Sequence, residues 1–368
     1  MLDTIFIYTT LMFVTIWGAY VSSKKRNEKH IGAFAIVLLF VSLIIGGRYE
    51  VGTDWPNYFE YYNYFTNYYI TIDSIVNNHL EPLYTALNAL CASLGFSPSM
   101  FFTTVALIIF LLLYYSICDE KKILPWVFFF FFTQLFFMSM NIQRQILAVG
   151  FFLLGTKYID KSKIKSLLLI GCACLFHYST FALIPFVFIG HKVFAFLENR
   201  KIALLLFFIT FIFKSIILQL FYLLPIGNYM NDKYLANMDN LDIEMAVSSG
   251  LGIITKNVIY IIAIIYMPKL LKHYTHFTRF SSIYRLFIAG ILLSNVFGIS
   301  EFLSRIPLAL ISLSVIIYSF LCNYLFNKNS YDLKFIIGLG LVVLSFIMFI
   351  MSIINGAGGN CPFKFEWI

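Results

Sequence analysis

Four polar positions stand out in an otherwise apolar chain because their side chains can bind an anion or move a proton. Arg48 and Asp54 flank a short segment in which Gly52 predicts a sharp turn. Arg144 begins a hydrophobic run, and His177 interrupts another. An arginine is always charged and grips carboxylate or phosphate with parallel hydrogen bonds. Aspartate and histidine can accept a proton, and histidine titrates near neutral pH. These residue types predict chemistry on an anionic substrate in which a hydroxyl group is deprotonated.

Each candidate also has a purely structural alternative. Arg48 and Asp54 can form an interfacial salt bridge, Arg144 can snorkel from a helix end, and His177 can bond a neighbouring group. A further arginine, Arg305, follows Glu301 by four positions, so that on a helix the two can pair with each other. We favour the functional interpretation because a charge beside a membrane-spanning segment is costly and marks function by default.

The amino-acid composition of the chain is that of a membrane protein. Of 368 residues, 60% are hydrophobic and only 12% are charged, with a mean hydropathy of +0.84. Soluble domains have about 45–50% apolar and about 25% charged residues. A soluble enzyme, a disordered chain and a disulfide scaffold are therefore excluded. No cysteine pair has zinc-site spacing and no acidic cluster is present, so no metal or cofactor is expected.

Hydrophobic runs long enough for transmembrane helices of about 20 residues occur along the whole chain. They cover 4–22, 31–47, 99–117, 123–140, 143–159, 202–222, 251–267, 285–300, 306–323 and 335–354. The stretches 82–96 and 166–190 are ambiguous, the first because it is short and the second because it can be one span or a broken pair. We predict an all-α polytopic membrane protein with about 11–12 transmembrane helices, forming one integral membrane domain over residues 1–368.

The distribution of basic residues predicts the orientation. If 82–96 lies on the outer surface and 166–190 is a broken pair, 19 of the 26 Lys and Arg residues fall in cytoplasmic loops. Both termini are then outside, and the first hydrophobic run is a span rather than a cleaved signal peptide. Two long outer loops, 47–98 with an amphipathic segment and 223–250, are expected to carry function. The basic charge follows from topology, and no nucleic-acid partner is needed.

Several short segments resemble, in order along the chain, the motifs of the EpsG/Wzy family of bacterial polysaccharide polymerases. The matching segments are Arg48–Tyr58, Glu81–Tyr84, Ile142–Ala148, Phe176–Ser179, Ser304–Ile306 and Pro362–Phe365. The last of these departs from the family pattern, because Phe363 stands where a tyrosine is expected. The ordered set spans nearly the whole chain.

The resemblance implies a membrane glycosyltransferase with a GT-C-like architecture, extracytoplasmic loops and juxtamembrane helices. Such an enzyme transfers a growing glycan from undecaprenyl pyrophosphate to the non-reducing end of another undecaprenyl-pyrophosphate-linked repeat unit. Asp54 or His177 is then the expected base. Arginines can stabilise the pyrophosphate leaving group as charge develops. The expected clamp residues are Arg48, Arg144 and Arg305, and the other substrate-binding candidates are Tyr58, Glu81 and Glu301.

The resemblance also implies where the protein works and with what. It places the site on the periplasmic face of the bacterial inner membrane, with membrane lipids around it and a chain-length regulator and a flippase as candidate partners. The aromatic segment 55–69 is expected to stack sugar rings. The alternatives are a lipid-linked oligosaccharide flippase or transporter, and a membrane O-acyltransferase acting on the polysaccharide.

Overall fold

The computed structural model describes residues 1–24, 28–67, 80–224, 250–298, 301–326 and 332–365. This part of the chain is helical, and the one β-bridge within it joins Arg48 to Phe365. The all-α prediction is confirmed. Most of the predicted outer loop 223–250, and residues 68–79 of the loop predicted over 47–98, lie outside the described residues.

The helices fall into two compact units, Met1–Phe181 with Ser314–Ile368, and Ala182–Leu313. The first unit contains α1 (Leu2–Lys24), α2 (Glu28–Gly46), α3 (Trp55–Asn67), α4 (Pro82–Ser93), α5 (Pro98–Ile117), α6 (Leu124–Gln134), α7 (Phe136–Asn141), α8 (Gln143–Thr156), α9 (Lys163–Phe176), α17 (Ser314–Leu325) and α18 (Leu333–Ile354). The second contains α10 (His191–Val193), α11 (Arg200–Ile212), α12 (Lys214–Tyr222), α13 (Gly250–His273), α14 (Phe280–Phe297), α15 (Glu301–Ser304) and α16 (Leu308–Ile311). That the whole chain forms one integral membrane domain stays a prediction.

Helices of the first unit pack both against sequence neighbours and against helices further along the chain. Helix α1 contacts α2 and α6, α2 contacts α5, α5 contacts α8, and α8 contacts α9. Small residues allow the closest approaches. A Cβ at Gly46 would lie 2.5 Å from the backbone nitrogen of Thr103, and one at Gly155 would lie 2.7 Å from the Ile170 side chain. Close backbone packing of this kind is typical of helices in membranes.

The two ends of the first unit differ in charge. At one end α1 begins, α2 ends at Gly46, and α7 meets α8 at Ile142. At the other end, Lys157 donates to the backbone oxygen of Tyr115 (2.8 Å) and lies 3.8 Å from Asp119. The turn at Lys121–Ile123 contacts α1 at this second end. Most loop lysines of the unit are thus separated from the end that carries the predicted site.

Fewer helices qualify as membrane spans than we predicted. In the described part of the chain, six are long and apolar enough, or seven if the pair α11 and α12, bent by 76°, counts as one. The protein is therefore a multi-pass membrane protein by helix composition, although the expected number of about 11–12 is not reached. The run 123–140 illustrates the reason, because it breaks at Leu135 into α6 and α7. The 11 residues of α6 extend about 16 Å, which is half of a bilayer core of about 30 Å.

The two ambiguous stretches are resolved by helix length and backbone conformation. Helix α4 has 12 residues and extends about 18 Å, too short to cross a bilayer, which agrees with its predicted surface placement. The run 166–190 does break, because α9 ends at Phe176 and is followed by a 3-10 helix at Tyr178–Leu183. His177 stands in an extended conformation at the break, with φ −158° and ψ 117°.

The second unit is built around α14. This helix contacts α11, α12 and α16, and its C-terminal residues Val296 and Phe297 pack with Leu218 and Leu303. Helix α11 also contacts α13. The four buried side chains form an apolar cluster at one end of the unit.

Candidate functional site

Arg48 lies directly after α2 and is buried, with 2% of its surface exposed. Its guanidinium donates hydrogen bonds to the backbone oxygens of Ile45 (2.9 Å), Met140 (3.2 Å) and Val51 (3.3 Å). It also lies over the Phe102 ring at 4.8 Å, and burial lowers the pKa of Arg48 to about 10. That Arg48 belongs to a pyrophosphate clamp stays a prediction. The side chain joins two helix ends to the following loop, and its donors face the protein.

A C-terminal strap, residues 356–365, holds the same loop from its other side. Three backbone nitrogens of the loop donate to backbone oxygens of the strap. These hydrogen bonds run from Tyr49 to Lys364 (2.9 Å), from Gly52 to Gly359 (2.9 Å) and from Thr53 to Gly358 (3.0 Å). These bonds connect segments that are about 300 positions apart in the chain. The strap therefore fixes the backbone between Arg48 and Asp54.

Glycine is required where the strap and the loop meet. Gly52 has φ +105°, which confirms the predicted sharp turn, and Gly358 has φ +64°. The Asn141 side chain sits between them and donates to the Gly358 oxygen (2.9 Å). A Cβ at Gly358 would collide with the Asn141 amide nitrogen, and one at Gly52 would lie 2.7 Å from its oxygen.

Asp54 lies at the start of α3 and is half-buried. Its backbone oxygen accepts from the nitrogen of Tyr58 (3.1 Å). Burial raises the pKa of the Tyr58 hydroxyl, the positive charge of Arg144 opposes that shift, and the negative charge of Asp54 adds to it. Arg144 and Asp54 are therefore both within electrostatic reach of the Tyr58 hydroxyl.

Glu81 is the centre of the site. It is 4% exposed, and its Oε2 accepts a hydrogen bond from Nη1 of Arg144 at 2.5 Å. Its Oε1 lies 2.7 Å from Nδ1 of His177. The three residues come from three different helix ends: Glu81 precedes Pro82 at the start of α4, Arg144 is the second residue of α8, and His177 follows α9. The structure therefore joins three of the candidates in one buried network.

The carboxyl group of Glu81 stays ionised. Burial by itself would raise its pKa, but the hydrogen bond from His177 and the charge of Arg144 outweigh that effect and lower the pKa to about 2. A buried carboxylate is stable only when it is paired in this way. Glu81 is therefore a fixed anion at neutral pH and accepts no proton there.

The pairing with Glu81 sets the tautomer of His177. A carboxylate accepts hydrogen bonds and donates none, so Nδ1 carries the proton and donates it to Oε1. In the neutral ring Nε2 is then unprotonated and can accept a proton. The His177 side chain is 16% exposed and that of Arg144 is 27% exposed. Both are more accessible than the 6% exposed carboxylate that joins them.

Two further residues, Tyr84 and Gln143, lie beside Arg144, and neither is a site candidate by sequence alone. Tyr84 is fully buried, and its hydroxyl accepts a hydrogen bond from Nε2 of Gln143 at 2.6 Å. The guanidinium of Arg144 lies 6.0 Å from the Tyr84 ring. The segments Glu81–Tyr84 and Ile142–Ala148 did contain both residues, but nothing in the sequence pairs the one with the other.

Arg305 and Glu301 lie in the second unit. Helix α15 begins at Glu301 and ends at Ser304, and Arg305 follows it directly. That the two residues pair stays a prediction. Arg305 is exposed. That these residues join Glu81, Arg144 and His177 stays a prediction.

Comparisons with known proteins address the resemblance directly. A search of the curated proteins gives no match, and a search of the solved structures gives none. The family model described as the EpsG family matches residues 31–365, a range that contains Arg48, Glu81, Arg144 and His177. The match covers most of the chain and confirms the expected family, so that the protein is a member of the EpsG family.

Proposed function

We propose that this EpsG-family membrane protein is a polysaccharide polymerase. It transfers a growing glycan from undecaprenyl pyrophosphate to the non-reducing end of an undecaprenyl-pyrophosphate-linked repeat unit. The observation that carries the proposal is the network in which Glu81 binds His177 at 2.7 Å and Arg144 at 2.5 Å. It combines an oriented base with a cation that can face a departing phosphate.

In this proposal His177 is the general base. Its Nε2 accepts the proton of the acceptor sugar hydroxyl, and the oxygen attacks the anomeric carbon of the donor glycan. The bond from that carbon to the pyrophosphate oxygen breaks, and undecaprenyl pyrophosphate leaves with the electron pair. Glu81 holds the ring and stabilises the imidazolium that forms, as the acid of a catalytic triad does. A positioned base contributes about 10²- to 10⁴-fold in rate.

Arg144 stabilises the leaving group. Its guanidinium is held by Glu81 and hydrogen-bonds the Tyr58 side chain, and because the side chain is 27% exposed its remaining accessible N–H groups can bind phosphate oxygens. Such a preorganised cation is most effective where charge develops in the transition state. Arg305 is proposed as a second clamp residue, whereas Arg48 acts by fixing the loop that carries Asp54. Asp54 is proposed as a hydrogen-bond acceptor for the glycan, because His177 is the better oriented base.

Aromatic rings beside the network provide a surface for sugars. Tyr61 is half-buried and stacks near the Tyr84 ring at 6.2 Å, and its hydroxyl lies 3.0 Å from that of Thr85. Tyr49 and Tyr64 are 39% and 47% exposed. Flat rings that combine apolar faces with hydroxyl groups suit the faces and edges of pyranose sugars.

We propose a GT-C-like architecture in the bacterial inner membrane, with the site on the periplasmic side. The end of the first unit opposite to the site carries Lys24, Lys121 and Lys157, and an excess of basic residues favours the cytoplasm. Undecaprenyl-linked oligosaccharides are the proposed substrates. A chain-length regulator and a flippase are proposed partners.

The proposal is tested by complementing a strain that lacks this protein. His177→Ala should give no long polymer, and a lipid-linked single repeat should accumulate on the outer side of the membrane. His276→Ala, in the second unit, is the control and should restore polymer. Accumulation on the inner side would indicate a transporter, and normal polymer length with altered acyl content would indicate an acyltransferase. If His177→Ala makes polymer of normal length, His177 is not the general base.

A further inference from the structure

A basic cavity lies at one end of the second unit, and the proposed reaction makes no use of it. It has a volume of about 460 Å³ and is formed where α11 begins and α13 approaches its end. Its lining residues are Glu198, Asn199, Arg200, Lys201, Ile265, Pro268 and Lys269. Three of them are basic and one is acidic.

Among the described residues, the lining of the basic cavity carries more positive than negative charge. No carboxylate of the described residues forms an ion pair with Arg200, Lys201 or Lys269. Glu198, the acidic residue in the lining, is already occupied, because its Oε1 lies 2.7 Å from Nε and 2.6 Å from Nη2 of Arg285. The Ser281 hydroxyl donates to the same oxygen. The cavity therefore presents three cations beside a neutralised carboxylate.

Apolar surface continues from the basic cavity along the two helices that form it. Ile265 and Pro268 belong to the lining, and Ile265 is 40% exposed. Helix α13 contains a candidate membrane span, and α11 is part of the bent candidate pair. The exposed apolar side chains of α11 are Ile202, Leu205, Phe208, Ile209, Phe211 and Ile212.

We propose that the basic cavity binds the phosphate headgroup of an anionic phospholipid, with the acyl chains along the exposed side chains of α11. Arginine and lysine bind phosphate oxygens by charge-assisted hydrogen bonds. The ends of two candidate spans place the cations where a headgroup lies, and basic residues at such ends attract anionic lipids. A free phosphate would satisfy the cations but would leave the adjoining apolar surface without a ligand.

The test uses the full chain in nanodiscs that contain phosphatidylglycerol and phosphatidylcholine. Lipids retained after mild detergent extraction are counted by native mass spectrometry. The cavity variant is Arg200→Gln/Lys201→Gln/Lys269→Gln. The control, Lys161→Gln/Lys163→Gln/Lys165→Gln, removes three exposed lysines of the first unit and changes the net charge equally. A further variant, Lys269→Gln alone, covers the case in which the triple variant does not fold.

The cavity variant should retain at least about tenfold less phosphatidylglycerol than the unmodified protein, since each basic residue near the membrane surface contributes to anionic lipid binding. The single variant should lose about threefold. Phosphatidylcholine retention should be unchanged, and the control should retain phosphatidylglycerol normally. The proposal is overturned if both triple variants lose the lipid equally, if phosphatidylcholine is retained as well as phosphatidylglycerol, or if millimolar inorganic phosphate displaces the lipid.

Discussion

Oε1 of Glu81 lies 2.7 Å from Nδ1 of His177, although 96 positions separate the two residues in the chain. Glu81 stands before the first turn of α4 and His177 after the last turn of α9, and these two helices are in contact. Helix ends leave backbone groups unpaired and place side chains outside the regular pattern. Two such ends meeting in a buried position give a carboxylate and an imidazole that orient each other.

Replacing Glu81 by glutamine should reduce polymerisation by about 100-fold or more, because an amide neither selects the tautomer of His177 nor stabilises its protonated form. The loss should appear in kcat, with KM for the lipid-linked repeat nearly unchanged. Glu81→Asp should recover part of the rate. Glu60→Gln, at an exposed position on α3, is the matched control and should be active. An equal loss in Glu81→Gln and Glu81→Asp with raised KM would place Glu81 in substrate binding instead.

Arg144→Lys should lose about tenfold or more in rate, because an ammonium is a point charge that does not bind Glu81 and phosphate in the fork geometry of a guanidinium. The measurement is turnover of a purified lipid-linked repeat together with inhibition by undecaprenyl pyrophosphate, which should weaken. Arg285→Lys is the control, since Arg285 forms a similar ion pair with Glu198 in the second unit. If undecaprenyl pyrophosphate inhibits Arg144→Lys as strongly as the unmodified protein, Arg144 does not bind the pyrophosphate leaving group.

The contribution of Glu81 to the stability of the protein should depend on pH in the acid range. The pKa of Glu81 is lowered from 4.5 to about 2, so its contribution to stability is complete above about pH 4.5 and is lost as the pH falls through about 2. A shift of this size corresponds to a contribution of the order of 3 kcal/mol at neutral pH. The difference in thermal stability between the unmodified protein and Glu81→Gln should shrink as the pH falls from about 4.5 towards 2. A constant difference down to pH 2.5 would exclude this pairing.

The junction between the strap and the loop should be sensitive to a single methyl group. Gly358→Ala forces a residue with a Cβ into φ +64° and against Asn141, at a cost of at least about 1–2 kcal/mol. We expect a lower melting temperature and lower activity. Gly340→Ala in α18 is the control, because a Cβ there meets nothing within 4 Å and alanine favours a helix. Equal melting temperatures for the two variants would show that the strap does not hold the loop.

Much of the site was predictable because short sequence segments carry local constraints. Gly52 marked a turn, and His177 marked a break in an apolar run. Arg48 shows the limit of such prediction. A lone arginine after a span has the same sequence signature whether it faces a substrate or, as here, three backbone oxygens. Only six or seven candidate spans are found among the described residues for a related reason, since hydropathy does not reveal where a continuous apolar run breaks into short helices.

The sequence by itself determined that the chain lies in a membrane, that it is helical, that it belongs to its family, and which few polar residues are candidates for a functional site. These follow from composition and short-range pattern, because an apolar chain poor in charge can be stable only in lipid. Only the tertiary structure decided that Glu81 pairs with both His177 and Arg144, and that Arg48 holds a loop. Such pairings depend on which helix ends meet, and packing between residues far apart in the chain fixes that meeting.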